Sequence, residues 1–454
     1  MKAKRILLIS IVVLLVTLTA TAQQAPPIIP PDERYKADIL LIVAHPDDET
    51  MISSYLARAI FDQNKRVAVI YGTRGDGGGN SVGYEQAAAL GAVREIEARR
   101  ALASWNVLNV WFLGAPDTPG QDVLRSLETW RHGAALEQVV RLVRLTRPEV
   151  ILTWLPCYVA GENHDDHQAA AVLATEAFDS AGDPTVFPAQ VSPPRERTRI
   201  SNLTEGLRTW QPKKLYYFSD AAHTEFLEGK GPQYALTDVS PSRKVPYGKL
   251  AAQEASFHQT QGEVAQLAKR ALETGDFGAI KGPDQFVLGK SLVKGGTTGD
   301  VFEGVTATPI SFSPVRGYRL QPRAGVAFEL GGPWAFYREW WLAHNLDHLE
   351  RLVSPEVSVA SGQPLNIPLI IRNDTDSAID AKLTTELPAG WTEHTRFASY
   401  PVPARGMYPV QLVLVAPNGR AKEWHELKWR IEVDGKPAGA VTLRVLISAG
   451  GLPQ

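Results

Sequence analysis

The stretch Asp38-Ile39-Leu40-Leu41-Ile42-Val43-Ala44-His45-Pro46-Asp47-Asp48-Glu49 decides the fold of this chain. It begins as an unbroken apolar run, which is typical of a strand buried on both faces of a parallel sheet. A second polar string, Asn163-His164-Asp165-Asp166-His167, comes after another apolar run, Val150 to Trp154. Open α/β sheets bind their ligands where buried strands end in loops. We therefore expect the two strings to converge at one edge of a single sheet.

Around these strings, apolar strand segments alternate with segments of helical spacing. The strand segments are 38–44, 66–71, 107–113 and 150–154, and the helical segments are 50–63, 84–105, 123–146 and 168–180. This alternation predicts βαβ units with right-handed crossovers. The predicted fold is therefore α/β, with a Rossmann-like, doubly wound and mostly parallel sheet. A further helical segment at 249–272 contains His258.

The last third of the chain has a different pattern. Residues 333–353 predict an aromatic helix in which His344 and His348 are four residues apart. The residues between them lack the Glu that follows the first His of a zincin helix, so we interpret the segment as a packing helix. From Ser354 the hydrophobic period changes to two, and Asp434-Gly435 separates two alternating runs. This pattern predicts a β-sandwich. The turn Leu387-Pro388-Ala389-Gly390-Trp391 resembles one of small immunoglobulin-like modules, and this resemblance implies an immunoglobulin-like sandwich.

The chain is therefore expected to divide into five segments. They are a signal peptide (1–22), an extended proline-rich lead-in (23–35), a catalytic domain (36–275), an irregular extension with the aromatic helix (276–353) and the β-sandwich accessory domain (354–450). Residues 275–332 are glycine-rich, and their pattern does not assign them a structure.

The first 22 residues have the three parts of a secretory signal. Basic residues come first, an apolar run occupies residues 6–18, and Ala20-Thr21-Ala22 provides small residues at a cleavage point. The apolar run is shorter than the ~20 residues of a membrane span. We expect a cleaved signal and a secreted or periplasmic protein. The alternative is an uncleaved N-terminal anchor.

Composition excludes several classes of partner. The formal net charge is −2, and loss of the signal with Lys2, Lys4 and Arg5 makes it −5. Because the chain has no basic tail or stripe, neither nucleic acid nor an anionic membrane is expected as a partner. The single cysteine, Cys157, allows no internal disulfide. We interpret it as a small buried side chain rather than a thiolate ligand.

The two strings contain a candidate metal site. His45 and Asp48 lie three residues apart on a turn that Pro46 stiffens, and His167 would complete the set. Three protein ligands leave a coordination position open, as in catalytic zinc sites. A bound Zn²⁺ would bring the pKa of its water to about 7 and make hydroxide available at neutral pH. Two His and one carboxylate also suit non-haem Fe²⁺, so the residues allow either metal.

Three further residues of the strings are candidates for catalysis. Asp47, next to Asp48, is suited to take the proton of the attacking water. His164 would reach the other side of the cavity, stabilise an oxyanion and protonate the leaving nitrogen. Asp166 would hold one ring nitrogen of His164 and favour the charged imidazolium, whereas Asp165 is assigned no role. The plainer alternative is that the acids of these strings only cap the following helices.

In these residues the chain resembles the LmbE/PIG-L family of zinc-dependent N-acetylglucosaminyl deacetylases. The resemblance runs through about residues 36–265 and implies a Rossmann-like fold, hydrolysis of an N-acetyl group on a glucosamine unit, and the roles just given for the two strings. It further implies that Arg94, Asp117 and His258 bind the substrate, and for His258 the alternative is a helix histidine that only packs. The loop Thr73-Arg74-Gly75-Asp76-Gly77 matches a glycine-containing loop of the family.

These observations predict an exported, metal-dependent amidase that removes an acetyl or other acyl group from the nitrogen of an amino sugar. The substrate would be a small molecule or glycan that carries an N-acyl amine. Two alternatives stay open: a carbohydrate-binding protein that keeps the fold and the metal without turnover, and a hydrolase of a non-sugar amide. The presence of Asp47 and His164 favours an enzyme, because a protein that only binds has no need of them.

Overall fold

The computed structural model describes residues 31–160, 164–192, 205–221, 223–278, 281–315, 323–394, 397–419 and 422–448. The predicted signal peptide, most of the proline-rich lead-in and Asn163 lie outside these residues. In the part of the chain that is described, no helix combines the length and the apolar character needed to cross a bilayer.

A six-stranded sheet forms the centre of the first domain. The first eight strands are β1 (Ile39–Val43), β2 (Val67–Tyr71), β3 (Val110–Phe112), β4 (Val150–Trp154), β5 (Lys214–Phe218), β6 (Gln233–Tyr234), β7 (Asp284–Gln285) and β8 (Val287–Ser291). The sheet has the order β3-β2-β1-β4-β5-β8, and β6 pairs only with β7. All pairs in the sheet are parallel except that of β5 with β8, which is antiparallel. The predicted α/β fold with a mostly parallel sheet is confirmed.

Helices cover the sheet. They are α1 (Ser53–Phe61), α2 (Ala87–Ala103), α3 (Val123–Thr129), α4 (His132–Thr146), α5 (Asp165–Ser180), α6 (Pro188–Val191), α7 (Tyr247–Ala255) and α8 (Gly262–Thr274), with 3₁₀ turns at Asp48–Ile52 and Glu225–Leu227. Two predicted helices are each divided. The segment 123–146 breaks at Arg131, whose φ of 56° is left-handed, and 249–272 breaks between α7 and α8.

The break between α7 and α8 has a tertiary cause. The backbone N–H and the hydroxyl of Thr260 both donate to the carboxylate of Glu97, at 3.0 and 2.6 Å. The backbone there is satisfied by α2 instead of by a continuing helix, as buried backbone groups require. His258 therefore lies in the connection between two helices, and its predicted position within one long helix is wrong.

The chain between the two domains passes from one to the other more than once. Strand β8 belongs to the first sheet, whereas β9 (Val326–Leu330) pairs with a strand of the second domain. Helix α9 (Gly332–Ala343) then returns and buries Tyr337, Trp340 and Trp341 in the core of the first domain. Regular structure thus occurs within 275–332, a segment to which the sequence pattern assigned no structure.

The aromatic helix is shorter than predicted. It ends at Ala343 because Asn345 takes a left-handed φ of 55°, and a 3₁₀ turn follows at Asp347–Leu349. His344 contacts Asp179 at 2.7 Å and His348 contacts the Leu288 carbonyl at 3.3 Å. These different partners agree with a packing role.

The C-terminal domain consists of two β-sheets. Its strands after β9 are β10 (Glu356–Ala360), β11 (Pro364–Asn373), β12 (Ile379–Glu386), β13 (Thr392–Glu393), β14 (Tyr400–Val402), β15 (Gly406–Val415), β16 (Glu423–Val433) and β17 (Lys436–Ser448). One sheet has the order β10-β17-β16-β12-β14 and the other β13-β15-β11-β9. Inward side chains of both sheets share one core. The C-terminal β-rich region is confirmed, and its immunoglobulin-like character stays a prediction.

The hairpin of β16 and β17 follows the predicted alternation. Leu427, Trp429 and Ile431 are fully buried, and Leu427 lies opposite Leu443. The connecting Asp434-Gly435 pair has φ values of 53° and 72°, the left-handed conformation that two-residue hairpin turns require.

Candidate metal and catalytic site

The site lies where the strand order of the first sheet reverses. Strands β1 and β4 are neighbours and run parallel, so the loops that follow them leave the same edge. His45 to Asp48 follow β1, and His164 is the residue at the N-terminus of α5, the helix that comes after β4 in the chain. Such a switch point is the usual ligand crevice of open α/β sheets.

Three side chains converge there as a set of metal donors. The Oδ1 atom of Asp48 lies 3.2 Å from Nε2 of His167 and 3.6 Å from Nδ1 of His45. Ligand atoms on a tetrahedral Zn²⁺, with bonds of about 2.0–2.1 Å, lie about 3.3 Å apart. The spacing and the donor types thus fit Zn²⁺, and they suit Fe²⁺ as well.

The second oxygen of Asp48 is fully engaged by the protein. Its Oδ2 accepts hydrogen bonds from the backbone N–H of Ala44 (2.8 Å) and His45 (3.0 Å) and from Nε1 of Trp154 (2.7 Å). The Trp154 ring also stacks on His167 at 4.1 Å and 12°. These contacts turn Oδ1 towards the two imidazoles and fix the His167 ring, as outer contacts of metal ligands commonly do.

The protonation of the three groups depends on burial and on their neighbours. Burial lowers the pKa of His167 to about 4, so its imidazole is neutral, as a ligand must be. Burial alone would raise the pKa of Asp48, but the contacts of its carboxylate with His167 and His45, including their hydrogen bonds, hold that pKa well below its usual range. Burial would lower the pKa of His45, but Asp117 and Asp166 outweigh it and raise the pKa.

Carboxylates lie behind both histidine ligands. Nε2 of His45 is 3.4 Å from Oδ1 of Asp117 and 3.6 Å from Oδ2 of Asp166. Nδ1 of His167 is 3.5 Å from Oδ2 of Asp220. Sequence reasoning did not single out Asp220. The reasoning applied to the first string could have found it, because Asp220 comes shortly after the end of the buried strand β5. A single Asp, however, forms no recognisable motif.

Two other groups of metal donors share His45. His45, His164 and His167 bring ligand atoms within 4.8 Å of one another, and so do His45, Asp117 and Asp166. In the latter group, however, Asp166 already accepts the N–H (2.7 Å) and hydroxyl (2.5 Å) of Thr118. This occupation leaves Asp166 less able to bind a cation.

The structure reassigns the two acids after His164. Asp166 is directed to Thr118 and His45, whereas Oδ1 of Asp165 lies 3.5 Å from Nδ1 of His164. Asp165, to which we assigned no role, is fully buried. The support that we predicted for His164 from Asp166 is placed at Asp165 instead. Adjacent helical residues point about 100° apart, so only one of the two can face His164.

The backbone of Asp47 is strained, and hydrogen bonds with Glu49 and Gln261 hold the turn that contains it. Its φ of 102° is left-handed, which is uncommon for a residue other than glycine, and its N–H donates to Oε2 of Glu49 at 3.1 Å. The side-chain amide of Gln261 donates to the Pro46 carbonyl. Burial raises the pKa of Asp47 well above its usual range, and the neighbouring Asp48 adds to this. Strain of this kind is concentrated at functional sites.

His258 supports this turn and does not face the cavity. It is fully buried, and its Nε2 lies 2.9 Å from Oε1 of Glu49 and 3.7 Å from Oε1 of Glu254. Burial raises the pKa of Glu254 to about 7. A residue without exposed surface behind the turn agrees with a packing role for His258, and its contact with the substrate stays a prediction.

Arg94 and Asp117 organise the glycine-rich loop beside the site. Arg94 donates to the carbonyl oxygens of Gly75 (2.7 Å) and Gly79 (2.8 Å), and Asp117 accepts the N–H of Gly77 at 2.9 Å. A Cβ at Gly78 would lie 2.6 Å from Nη1 of Arg94, so the loop packs closely on that side chain. Their predicted contact with substrate stays a prediction.

Part of the chain is similar to known proteins. Residues 40–178 match the family model described as PIG-L: GlcNAc-PI de-N-acetylase. The 1D-myo-inositol 2-acetamido-2-deoxy-alpha-D-glucopyranoside deacetylase 1 of Frankia casuarinae is 28% identical over 312 residues, which cover 59% of this chain and 94% of that protein. The deacetylase of the same name from Geodermatophilus obscurus is 31% identical over 165 residues, 33% of this chain. The chain spans about half the length of the latter relative, 55%.

Among solved structures, the N,N'-diacetylchitobiose deacetylase from Pyrococcus horikoshii aligns with 56% of this chain and 84% of its own length. The TM-score is 0.40 and the sequence identity is 16%. The family match confirms the resemblance seen in the two polar strings: residues 40–178 form a PIG-L domain of the LmbE/PIG-L family.

Proposed function

We propose that this chain, with its PIG-L domain, is an exported metal-dependent amidase that removes an acetyl group from the nitrogen of an amino sugar. The observation that carries the proposal is the convergence of Asp48 with His45 and His167, at 3.6 and 3.2 Å, from two strings about 120 residues apart. Capping alone does not require two imidazoles and a carboxylate to meet at one point, whereas metal binding does.

His45, Asp48 and His167 would hold the metal ion, which we propose to be Zn²⁺. When bound, such an ion lowers the pKa of a water ligand to about 7 and polarises a carbonyl oxygen. The chemistry that remains for the protein is proton transfer and stabilisation of charge on the substrate.

Asp47 is the proposed general base. It is the neighbour of Asp48, and burial raises its pKa, which brings a carboxylate nearer to the pH at which it can accept and return a proton. It would take one proton from the attacking water as the oxygen–carbon bond forms. The charge of the Arg94 guanidinium, which interacts with Asp47, favours its ionised form before the reaction.

His164 is the proposed partner of the oxyanion and of the leaving nitrogen. Its ring lies 4.1 Å from that of His167 and 4.9 Å from that of His45, so it borders the proposed metal position. Its side chain keeps 28% of its surface exposed, unlike the buried ligands, and Oδ1 of Asp165 lies 3.5 Å from its Nδ1. Protonation of the nitrogen by His164 would break the C–N bond and release acetate and the free amine.

An amino sugar is the proposed substrate because the relatives are named as deacetylases of 2-acetamido sugars. Arg94 and Asp117, beside the glycine-rich loop, are the proposed contacts for the sugar. Export to the periplasm or the medium is proposed from the basic, apolar and small-residue parts of residues 1–22.

The decisive experiment measures acetate release from N-acetylglucosamine and its oligomers, before and after removal of the metal by a chelator. A panel of non-sugar N-acyl amines is assayed in parallel. We expect release from the sugars that stops after chelation and returns with Zn²⁺. Binding of the oligomers without release would show a carbohydrate-binding protein, and release only from the non-sugar amides would show a different hydrolase.

A further inference from the structure

The C-terminal domain meets the first domain at the edge of the sheet where the proposed site lies. Among the residues that the structure describes, strand β10 is an edge strand of its own sheet, where it pairs with β17. On its other side the side-chain amide of Gln121 takes the place of a neighbouring strand. Its Nε2 donates to the carbonyl of Ser358 at 3.0 Å, and its Oε1 accepts the N–H of Ser358 at 2.8 Å. A covered edge of this kind fixes two segments in register.

A second contact on β10 is made by a buried carboxylate. The Glu356 side chain has no exposed surface, and its Oε2 accepts the N–H of Ala160 at 3.2 Å. Nε2 of His223 lies 3.1 and 3.2 Å from its two oxygens, and Nη1 of Arg444 lies 2.6 Å from Oε1. Two of these partners come from the first domain and one from β17. A buried carboxylate with several charge-assisted hydrogen bonds is costly to disturb.

The loops that reach β10 are the loops that carry the outer residues of the site. Gln121 belongs to the loop after β3 that contains Asp117, 3.4 Å from His45. His223 lies three residues after Asp220, whose carboxylate is 3.5 Å from Nδ1 of His167. Strand β10 therefore contacts the segments that hold the far nitrogen of each histidine ligand.

We infer that Glu356 is a positioning residue of the active site and that the β-sandwich is a structural part of the catalytic unit. Glu356 holds His223, which comes three residues after Asp220, the carboxylate beside His167. Gln121, through its contacts with Ser358, fixes the loop that contains Asp117, and the Asp117 carboxylate lies beside His45. This inference rests on the proposed function, because it concerns the residues behind the proposed metal ligands. Its main measurement is metal retention, which needs no substrate.

The test compares the full chain with Glu356→Gln and with the matched control Glu386→Gln, in which an exposed glutamate of the same domain is changed. Glutamine keeps the size of the side chain but places an amide donor against the donors of Ala160, His223 and Arg444. Each protein is loaded with Zn²⁺, and the rate at which a chromogenic chelator removes the ion is measured together with thermal unfolding and acetate release.

We expect Glu356→Gln to lose Zn²⁺ about tenfold faster than the unchanged protein and the control, the lower end of the effect of contacts outside the metal ligands. A purely structural role would lower the unfolding temperature and leave zinc loss from the folded protein unchanged, and that result would overturn the inference. If Glu356→Gln does not fold, His223→Ala removes one partner of the same carboxylate and is judged by the same zinc readout.

The outcomes also separate this inference from the proposed function. Faster zinc loss in a protein that releases no acetate supports the positioning role and contradicts the amidase. Acetate release together with equal zinc retention in both variants supports the amidase and contradicts the positioning role. A chain that retains no divalent ion overturns both.

Discussion

The two oxygens of the Asp48 carboxylate have different partners. Oδ2 accepts three hydrogen bonds from the protein, and Oδ1 faces the imidazoles of His45 and His167. Trp154 contributes the one bond to Oδ2 that comes from a side chain, and it also packs against a ligand ring. A single residue of β4 therefore orients two of the three proposed ligands.

Replacing Trp154 by phenylalanine tests this arrangement. Phe keeps a ring to stack on His167 but lacks the N–H that Asp48 accepts, so we expect zinc affinity to fall about 10–100-fold with the fold intact. Zinc competition with a calibrated chelator gives the affinity, and circular dichroism checks the fold. Trp210→Phe, which removes an indole donor to the Pro148 carbonyl, is the control. Equal affinity in all three proteins would contradict the role of the indole.

Metal binding and turnover are expected to separate between two histidines. His45→Ala removes a ligand, so both zinc content and acetate release should be lost. His164→Ala removes the proposed acid but no ligand, so zinc content should stay near one ion while acetate release falls about 10²–10⁴-fold. Elemental analysis and the acetate assay are run on the same samples. Loss of zinc in His164→Ala would place this residue among the ligands, in the grouping of His45, His164 and His167.

The residues of the site were predictable to the extent that short-range spacing determines them. The spacing from His45 to Asp48 places both on one turn, and the two strands that end beside them are adjacent and parallel. Which of Asp165 and Asp166 faces His164 depends on the rotation of α5 about its axis, and no pattern of residues encodes that angle. The same holds for His258, whose burial follows from how the α7–α8 connection packs against the turn of Glu49.

At the level of elements, the strands of the first sheet were predictable because each is an unbroken buried apolar run. The ends of the helices were less predictable from the sequence, because contacts with other parts of the fold determine where a helix ends. The break at Arg131 separates α3 from α4 without a proline or glycine at that residue, and the contact of Thr260 with Glu97 ends α7 early. Strand β8 lies in a glycine-rich segment whose pattern is too weak to indicate a strand.

Helices α4 and α5 are joined by an ion pair whose contribution depends on pH. Nε2 of His132 lies 2.6 Å from Oε2 of Glu176, and this hydrogen bond raises the pKa of His132. A raised pKa in the folded state stabilises the fold below the unfolded value of about 6.5, and the stabilisation is lost as the pH rises through the folded pKa. Because the pair is partly exposed, the effect should stay below about 1 kcal/mol.

This expectation is measured by urea unfolding at pH 6 and pH 8. The difference in unfolding free energy between the unchanged protein and His132→Gln should be larger at pH 6 than at pH 8. Comparison at each pH removes the contribution of the histidines near the proposed metal site. His348→Gln, at an exposed residue, should leave the slope with pH unchanged. A His132→Gln protein that differs equally at both pH values would show that the pair does not titrate in this range.

For the whole molecule, the path of the chain matters as much as the two cores. The chain enters the second domain with β9, returns to the first with α9, and leaves again with β10. Tyr337, Trp340 and Trp341 of α9 are buried in the first core, whereas Phe328 and Leu330 of β9 are buried in the second. The short segment formed by β9 and α9 is therefore packed into both cores. Unfolding of either core removes packing contacts from that segment.

We accordingly expect the two cores to unfold together, although chains of this size often show separate transitions. Trp341→Ala, a large-to-small change in the first core, should cost about 3–5 kcal/mol. It should lower hydrogen-exchange protection in β1 and, by a similar free energy, in the hairpin of β16 and β17. Met407→Ala, at an exposed residue of β15, is the control and should change neither. Unchanged protection of the β16–β17 hairpin in Trp341→Ala would show that the sandwich is an independent module, because the loss of packing in α9 would then stop at the first core.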